Sequence, residues 1–201
     1  MKKRTALKLM ATSALLTGAV GLFTACSEKK QSFTAIDLTG ADYARDFALT
    51  DHNGQPRTLK DFSGKVVVMF FGYTQCPDVC PTSMAELVEV KRLLGKEGER
   101  VQGIFVSIDP ERDTPEVLKA YMGNFDPTFL ALYTTPEKLV GVAKDYKVYY
   151  KKVAGSTPTS YTMDHSAGCY VYDTQGKLRL YTRYGSGAPA LAADIKVLLT
   201  P

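Results

Sequence analysis

One stretch of sequence decides the fold of this chain: Val66-Val-Val-Met-Phe-Phe-Gly-Tyr-Thr-Gln-Cys-Pro-Asp-Val-Cys-Pro81. Its first six residues are all apolar, which is typical of a central strand that helices cover on both faces. Pro81 suits the first turn of a helix, and apolar residues then recur at helical spacing until Gly95. The stretch therefore predicts a buried strand that leads, through a short turn containing two cysteines, into a helix.

The alternation of strand and helix continues along the chain. Val101 to Ile108 predicts a second buried strand, and Phe129 to Tyr133 predicts a short third one. Between them, Asp113-Thr-Pro-Glu116 has the side-chain cap and first-turn proline that often start a helix, and Thr135-Pro-Glu137 repeats this signature after the third strand. Strands that alternate with helices in this way predict an α/β domain.

Two further segments flank this alternation. Near the N-terminal end, an Asn-Gly pair inside Asp51-His-Asn-Gly54 suits a tight turn, which predicts a hairpin between residues 47–50 and 57–59. After the last of these helices, Lys151 to Thr162 is rich in Gly, Ser, Thr and Pro, which predicts a mobile loop. The domain is thus expected to carry an added N-terminal hairpin and an insertion.

The C-terminal part completes the expected fold. Residues 169–172 and 177–181 predict an antiparallel hairpin, and residues 189–199 predict a closing helix. Strand, helix, strand, helix, then a terminal hairpin and a helix is the element order of the thioredoxin fold. We therefore expect an α/β, thioredoxin-like fold, with a central mixed β-sheet flanked by helices and an added N-terminal hairpin.

Residues 1–25 are expected to be an export signal. Four basic residues and no acidic residue accompany an apolar stretch, residues 9–23. At 15 residues this stretch is shorter than the roughly 20 that a membrane-spanning helix needs, which favours a signal over a transmembrane anchor. Without this segment, 21 basic residues remain against 21 acidic ones, so the charge gives no indication of a nucleic-acid partner.

The residues at the end of this signal, Leu22-Phe-Thr-Ala-Cys26, resemble a bacterial lipobox. The resemblance implies that Cys26 carries a lipid and becomes the mature N-terminus. Residues 26–42 would then form a polar tether, and residues 43–201 the folded domain. We expect a lipid-anchored protein on the periplasmic side of a bacterial cell membrane.

The two cysteines of the opening stretch, Cys76 and Cys80, form the main candidate for chemistry. Residues four apart in a helix have β-carbons roughly 5–6 Å apart, whereas a disulfide prefers about 3.8 Å, so the spacing favours a metal without excluding redox chemistry. A helix N-terminus favours thiolates, which both bind metals and attack disulfides. In an oxidising compartment, any function that needs the reduced pair also needs a thiol reductant.

The two histidines of the chain and the remaining cysteine, Cys169, are less specific signals. His52 lies in the predicted hairpin turn, where solvent exposure is the simplest expectation. His165 follows the predicted loop, where it could complete a site at a sheet edge, but the residues alone leave this open. Cys169 is expected to be a buried free cysteine among apolar neighbours, and an additional sulfur near a metal is the alternative.

Three separated motifs together resemble the Sco/SenC family of copper-binding proteins, which assist cytochrome c oxidase assembly. They are Tyr73-Thr-Gln-Cys-Pro-Asp-Val-Cys-Pro81, Ser107-Ile-Asp-Pro-Glu-Arg-Asp-Thr-Pro115 and Asp164-His-Ser166. The resemblance implies a thioredoxin-like fold and copper binding by Cys76, Cys80 and His165. It also implies the copper-binding subunit of cytochrome c oxidase as the partner, together with a copper donor and a thiol reductant.

Donor chemistry agrees with copper as Cu(I) or Cu(II). Two thiolates and one imidazole suit copper better than calcium or magnesium, whereas zinc usually takes four ligands and only three are evident. Asp78 could tune the charge of the site or simply favour the helix start, and Asp164 could orient the imidazole. Asp109 and Asp113 are better explained by turn formation and helix capping.

Three functions follow from these observations. The first is a copper chaperone for the binuclear copper site (CuA) of cytochrome c oxidase. The second is a thiol-disulfide reductase, with Cys76 and Cys80 as a reversible disulfide, that keeps the copper-site cysteines of a partner protein reduced. A thiol peroxidase is weaker, because nothing in the sequence distinguishes Cys76 from Cys80 as a single activated cysteine.

Overall fold

The structure of the protein is a computed structural model that describes residues 32–157 and 160–200. The expected signal and Cys26 lie outside the described residues. Within the described part of the chain, no helix has both the length and the apolar character of a membrane span.

Ten strands form within the described residues. They are β1 (Ile36–Asp37), β2 (Leu49–Asp51), β3 (Pro56–Arg57), β4 (Val66–Gly72), β5 (Val101–Ser107), β6 (Leu130–Tyr133), β7 (Tyr150–Ala154), β8 (Tyr161–His165), β9 (Cys169–Tyr172) and β10 (Leu178–Thr182). Eight of them form one sheet in the order β1-β10-β9-β4-β5-β6-β2-β3, and β7 and β8 form a separate two-stranded sheet. The large sheet is mixed, because β4, β5 and β6 are parallel while β9 runs antiparallel to β4.

The same residues form four α-helices. They are α1 (Val79–Leu94), α2 (Pro115–Met122), α3 (Pro136–Asp145) and α4 (Ala188–Leu199). Thr114 and Thr135 cap α2 and α3, each accepting a hydrogen bond from a backbone N–H of the first turn, and a proline follows each cap. The two Thr-Pro-Glu signatures therefore mark helix starts as predicted.

The core lies on both faces of β4, the strand that the opening stretch predicts. Every residue of β4 and of its neighbour β5 is buried. On one face Phe70 packs against Phe105, and on the other Phe71 packs against Tyr146, with ring centroids 6.2 Å and 5.0 Å apart. Burial of each such side chain contributes roughly 1.5–3 kcal/mol, so β4 is the best-anchored element near the cysteines.

The N-terminal hairpin is confirmed. The prediction that its histidine, His52, is exposed to solvent is wrong. Strands β2 and β3 pair at the edge of the sheet, where β2 continues it beside β6. His52 is partly buried, since its Nδ1 accepts a hydrogen bond from the Ala131 N–H at 3.1 Å. Burial lowers the pKa of its imidazole. His52 therefore ties the hairpin to β6.

The folded part of the chain also reaches into the range expected to be a tether. Ile36 and Asp37 pair with β10, and the N–H groups of Thr34 and Ala35 donate to the Asp194 carboxylate at 2.9 and 2.8 Å. A two-residue strand is too short to be recognised from periodicity. Residues from about 34 onwards are therefore held against the domain.

The prediction of a mobile loop over residues 151–162 is wrong. Strands β7 and β8 pair from Tyr150 with His165 to Ala154 with Tyr161. Both strands are largely exposed, so they lack the alternating apolar pattern that usually marks a strand. Residues 155–157 and 160 belong to the connection between them, and residues 158–159 lie outside the described residues. His165 is thus the last residue of a strand, and we call β7 and β8 the histidine hairpin.

Candidate metal centre

The two cysteines lie where β4 gives way to α1, on a segment that we call the cysteine loop (residues 73–81). Cys80 is the second residue of α1 and is fully buried, whereas Cys76 precedes the helix and is partly exposed. The predicted turn therefore holds Cys76 but not Cys80, and the helical distance between β-carbons does not apply to the pair. Because Cys76 lies before the helix, its sulfur can accept a hydrogen bond from the Cys80 N–H, at 3.5 Å.

The last residue of β4 makes room for the buried sulfur. A Cβ atom at Gly72 would lie 2.7 Å from Cys80 Sγ, 2.7 Å from the Phe70 ring and 2.9 Å from the Phe105 ring. Such distances are far below ordinary van der Waals contact, so only glycine fits at this position. The core thereby fixes the position of Cys80.

His165 faces the cysteines from the end of the histidine hairpin. Its Nε2 lies 3.5 Å from Cys80 Sγ, and its Nδ1 lies 2.9 Å from the carbonyl oxygen of Ser166. Because a carbonyl can only accept, Nδ1 carries the proton and the Nε2 lone pair points towards the sulfur. Phe70 and Tyr73 contact the imidazole edge to face, each with a centroid distance of 5.9 Å. The ring is therefore held in one orientation.

Three ligand atoms thus converge from two separate parts of the fold. The sulfurs of Cys76 and Cys80 and a ring nitrogen of His165 all lie within 4.8 Å of one another. No carboxylate of the described residues joins them in this group. Two sulfurs and a nitrogen suit a soft or borderline metal ion such as copper, and the donor set therefore fits the copper expected from the sequence.

The two thiols have pKa values shifted in opposite directions. The hydrogen bond with Cys80 lowers the pKa of Cys76. The same contact with Cys76, together with burial, raises the pKa of Cys80. The pair therefore shares one proton, with Cys76 as the thiolate and Cys80 as the thiol. This asymmetry distinguishes the two cysteines, which the sequence could not.

Three other residues considered from the sequence lie outside this group. Cys169 is a free, partly buried cysteine on β9, and burial raises its thiol pKa to about 12. Cys169 and His165 belong to different sheets, and the Cys169 sulfur is not among the convergent ligand atoms. Asp78 and Asp164 are exposed, and the imidazole is oriented by the Ser166 carbonyl rather than by Asp164.

Asp113 is not the helix cap that the sequence suggested, since Thr114 fills that role. Its buried carboxylate instead accepts hydrogen bonds from the hydroxyls of Thr74 and Ser107, both at 2.6 Å. Burial raises its pKa. Asp113 therefore links Thr74, at the start of the cysteine loop, to Ser107 at the end of β5.

Sequence reasoning missed one residue beside the site, Arg112. Its guanidinium contacts both the cysteine loop, through Gln75, and the histidine hairpin, through Tyr161. The sequence signal for it is its place in the second of the three motifs, Ser107 to Pro115.

A thioredoxin-like domain that gathers two cysteine sulfurs and one imidazole beyond the C-terminal end of its central strand β4 defines a class of candidate thiolate metal-binding proteins. The chain belongs to the SCO1/SenC family, whose family model matches residues 36–200. The resemblance seen in the three motifs is thereby confirmed.

Individual relatives agree with this assignment. The SCO2-like protein of Rickettsia felis is 38% identical over 133 residues, which are 66% of this chain and 65% of that protein. This chain thus spans slightly less than two thirds of that relative's length. The structure of Bradyrhizobium japonicum ScoI with copper bound is similar with a TM-score of 0.69 and 44% identity, over 76% of this chain and 97% of that one.

A more distant structure supports the fold alone. BsSco, a member of the Sco family of cytochrome c oxidase assembly proteins, has a TM-score of 0.61 at 22% identity, over 79% of this chain and 94% of that one. The predicted fold class, a thioredoxin-like domain with a central mixed sheet flanked by helices, is confirmed.

Proposed function

We propose that this protein binds copper through Cys76, Cys80 and His165 and supplies it to the binuclear copper site of cytochrome c oxidase. The observation that carries the proposal is the convergence of these three ligand atoms within 4.8 Å. Membership of the SCO1/SenC family and similarity to a copper-bound ScoI support copper as the metal.

The residues of the site divide the work of binding. Cys76 is ready as a thiolate, His165 offers the Nε2 lone pair, and Cys80 must lose its proton when a metal arrives. Cys80 is fully buried, whereas Cys76 is partly exposed. A partner's thiolate can therefore reach the metal from the side of Cys76, so Cys76 is the ligand that a partner protein would replace first.

The proposal includes a cellular setting. The lipobox-like sequence supports a lipid on Cys26 and a position on the periplasmic side of a bacterial cell membrane. In that oxidising compartment Cys76 and Cys80 need a thiol reductant, and the site needs a copper donor. Cys26→Ser is expected to abolish incorporation of a labelled fatty acid into the protein, and retained labelling would contradict lipidation at this residue.

The direct test of copper binding is a titration of the reduced protein with Cu(I) against a competing chelator. Wild type is expected to bind one copper per chain, and His165→Ala to bind more weakly. Cys169→Ser is the matched control, since Cys169 lies outside the group of ligand atoms, and should bind as wild type does. Unchanged affinity in His165→Ala would overturn the three-ligand site.

The test of delivery uses the loaded protein and the metal-free copper-binding domain of an oxidase subunit, with its cysteines reduced. Copper is expected to move to that domain and to produce the absorption of its binuclear centre. If copper stays on this protein under conditions in which that domain accepts free copper, the delivery role fails.

A second function, thiol-disulfide reduction, is favoured by the asymmetry of the pair. The exposed Cys76 thiolate would attack a disulfide of the partner and form a mixed disulfide. Cys80, after losing its proton, would then displace the partner's thiol, leaving a Cys76–Cys80 disulfide and two reduced cysteines on the partner. A thiol reductant restores the pair. This function predicts exchange that survives His165→Ala but not Cys76→Ser, and exchange lost in both variants would contradict it.

A further inference from the structure

Arg112 lies in the turn between β5 and α2 and joins the two halves of the metal centre. Its Nη1 donates a hydrogen bond to the Gln75 side-chain oxygen at 3.0 Å, next to Cys76 in the cysteine loop. The same nitrogen donates to the carbonyl oxygen of Tyr161 at 2.9 Å, at the start of β8. One guanidinium therefore contacts the segment that carries the cysteines and the strand that carries His165.

Further contacts hold this guanidinium in place. Its Nε lies 2.5 Å from the Asp109 carboxylate, whose side chain is only 3% exposed, while that of Arg112 is 19% exposed. The Tyr161 ring stacks against the guanidinium with 3.5 Å between the guanidinium carbon and the ring centroid. The Tyr161 hydroxyl donates to the other oxygen of Asp109 at 2.8 Å. A planar, bidentate donor such as arginine suits this arrangement, whereas lysine cannot reproduce it.

The histidine hairpin depends on such contacts. It belongs to a separate two-stranded sheet, and both of its strands are largely exposed. Tyr161 and His165 are the two ends of β8, about 13 Å apart at the rise of an extended strand. A stiff strand held at Tyr161 is also restrained at His165.

We propose that Arg112 is a positioning residue that couples the histidine hairpin to the cysteine loop and so keeps His165 within reach of the metal held by the cysteines. The inference rests on the proposed metal-binding function and deepens it. Without Arg112 the site would become a two-cysteine site with a detached imidazole, while the thiol chemistry of the cysteines would persist.

The first experiment is a double-mutant cycle on Cu(I) affinity with Arg112→Ala, His165→Ala and the double variant. Loss of an outer contact that orients a ligand typically lowers metal affinity about 10–100-fold. We expect a loss of this size for Arg112→Ala in the wild-type background and no further loss in the His165→Ala background. Equal losses in both backgrounds would show a general structural role and overturn the proposal, as would wild-type affinity in Arg112→Ala.

A matched control comes from the same turn and the same hairpin. Lys152 of β7 pairs with Glu111 at 2.7 Å, but the two side chains are 48% and 61% exposed. Exposed ion pairs contribute little, so Glu111→Gln should leave copper affinity within about twofold of wild type. A loss as large as that of Arg112→Ala would mean that any contact between turn and hairpin suffices, which contradicts a specific role for Arg112.

The second experiment needs no metal. Amide hydrogen exchange of the reduced, metal-free protein should be faster in β8 of Arg112→Ala than of wild type, with exchange in β4 and β5 unchanged. If exchange in β8 is the same in Arg112→Ala as in wild type, Arg112 does not couple the histidine hairpin to the cysteine loop. This conclusion holds whatever the copper affinity of the variant. If wild type binds no copper, the proposed function fails, and this exchange measurement alone then decides whether Arg112 holds the hairpin.

A milder variant guards against misfolding of Arg112→Ala. Gln75→Ala removes only the contact to the cysteine loop, at an exposed position. It should lower copper affinity in the wild-type background and leave the affinity of His165→Ala unchanged. If Gln75→Ala binds copper as tightly as wild type, the contact of Arg112 with Gln75 does not help to keep His165 near the metal.

Discussion

The cysteine loop and the histidine hairpin contribute to one site but are held in different ways. The cysteine loop follows β4, a fully buried strand, and its Cys80 has no exposed surface. The histidine hairpin lies outside the large sheet and is held near the site by the Arg112 side chain and by aromatic contacts of the imidazole. The metal centre therefore combines a rigid half with a half that depends on a few polar contacts.

This difference separates the consequences of mutation. Changes around Cys80 disturb the core, so they should lower both the free energy of unfolding and the copper affinity. Changes that affect the histidine hairpin should lower copper affinity with little effect on global stability. For the copper delivery proposed above, a ligand whose position can change without unfolding the core would ease release of the metal.

The largest effect is expected for Cys80→Ser. Loss of a ligand should lower Cu(I) affinity by more than the roughly 100-fold that is the upper range for outer contacts. Burial of a polar hydroxyl in place of the larger, less polar thiol would also cost about 1–3 kcal/mol of unfolding free energy. Chelator competition and denaturant unfolding measure the two effects. A variant that lost affinity but kept full stability would break the comparison, because Cys80 would not behave as part of the core.

The next effect concerns the reactivity of the Cys76 thiol. It tests how much the histidine hairpin, compared with the cysteine loop, contributes to the lowered pKa of Cys76. The contact with Cys80 is the largest cause of the lowered Cys76 pKa, whereas the Nε2 atom of His165 has no proton to donate to the thiolate. A lowered pKa means that the thiolate persists as the pH falls. The alkylation rate of Cys76 should therefore decline only at a pH well below the pKa of a free cysteine.

The comparison predicts how variants change this pH profile. His165→Ala should leave the alkylation midpoint nearly unchanged, whereas Cys80→Ser should move it upwards. Cys169, with its pKa raised to about 12, serves as the internal reference and should hardly react at neutral pH. A larger shift in His165→Ala than in Cys80→Ser would show that the hairpin, rather than the loop, controls the thiolate.

A moderate effect is expected for Gly72→Ala. The added methyl group would overlap Cys80 Sγ and the Phe70 ring, and overpacking of this kind costs about 1–3 kcal/mol of unfolding free energy. Displacement of Cys80 should also weaken copper binding. Gly141→Ala in α3 is the control, because its Cβ meets nothing within 4 Å, and it should stabilise the helix by about 0.5–1 kcal/mol. If Gly72→Ala were as harmless as the control, the core would not fix Cys80.

The smallest effect is expected for Asp164→Asn in the histidine hairpin. Asp164 is exposed, and the Ser166 carbonyl orients the imidazole instead. Stability should change by less than about 0.5 kcal/mol, as for most surface substitutions, and copper affinity should stay within about twofold of wild type. A tenfold loss of affinity, measured by the same chelator competition, would indicate that Asp164 tunes the imidazole after all.

The two regions also differ in how far the sequence predicts them. The central strand and the starts of α2 and α3 follow from local signals, namely an unbroken apolar run and the capping residues Thr114 and Thr135. The histidine hairpin was missed because its strands are largely exposed and carry no alternating apolar pattern. Exposed polar strands that pair mainly with each other cannot be recognised from the pattern of apolar residues.

The ligands show the same division. Cys76 and Cys80 are evident from their spacing at a helix start, whereas His165 was associated with them only through resemblance to a family. Arg112 acts across 37 positions to Gln75 and 49 to Tyr161. Contacts of this range depend on the finished fold, so no local pattern could have predicted them.

The most direct test of a copper site built from both regions is X-ray absorption spectroscopy of the Cu(I)-loaded protein, compared with Cu(I)-loaded His165→Ala. Wild type is expected to show two sulfur ligands and one nitrogen ligand, and His165→Ala the two sulfurs without that nitrogen. Identical copper environments in the two proteins, or a wild-type site without sulfur ligands, would contradict the account.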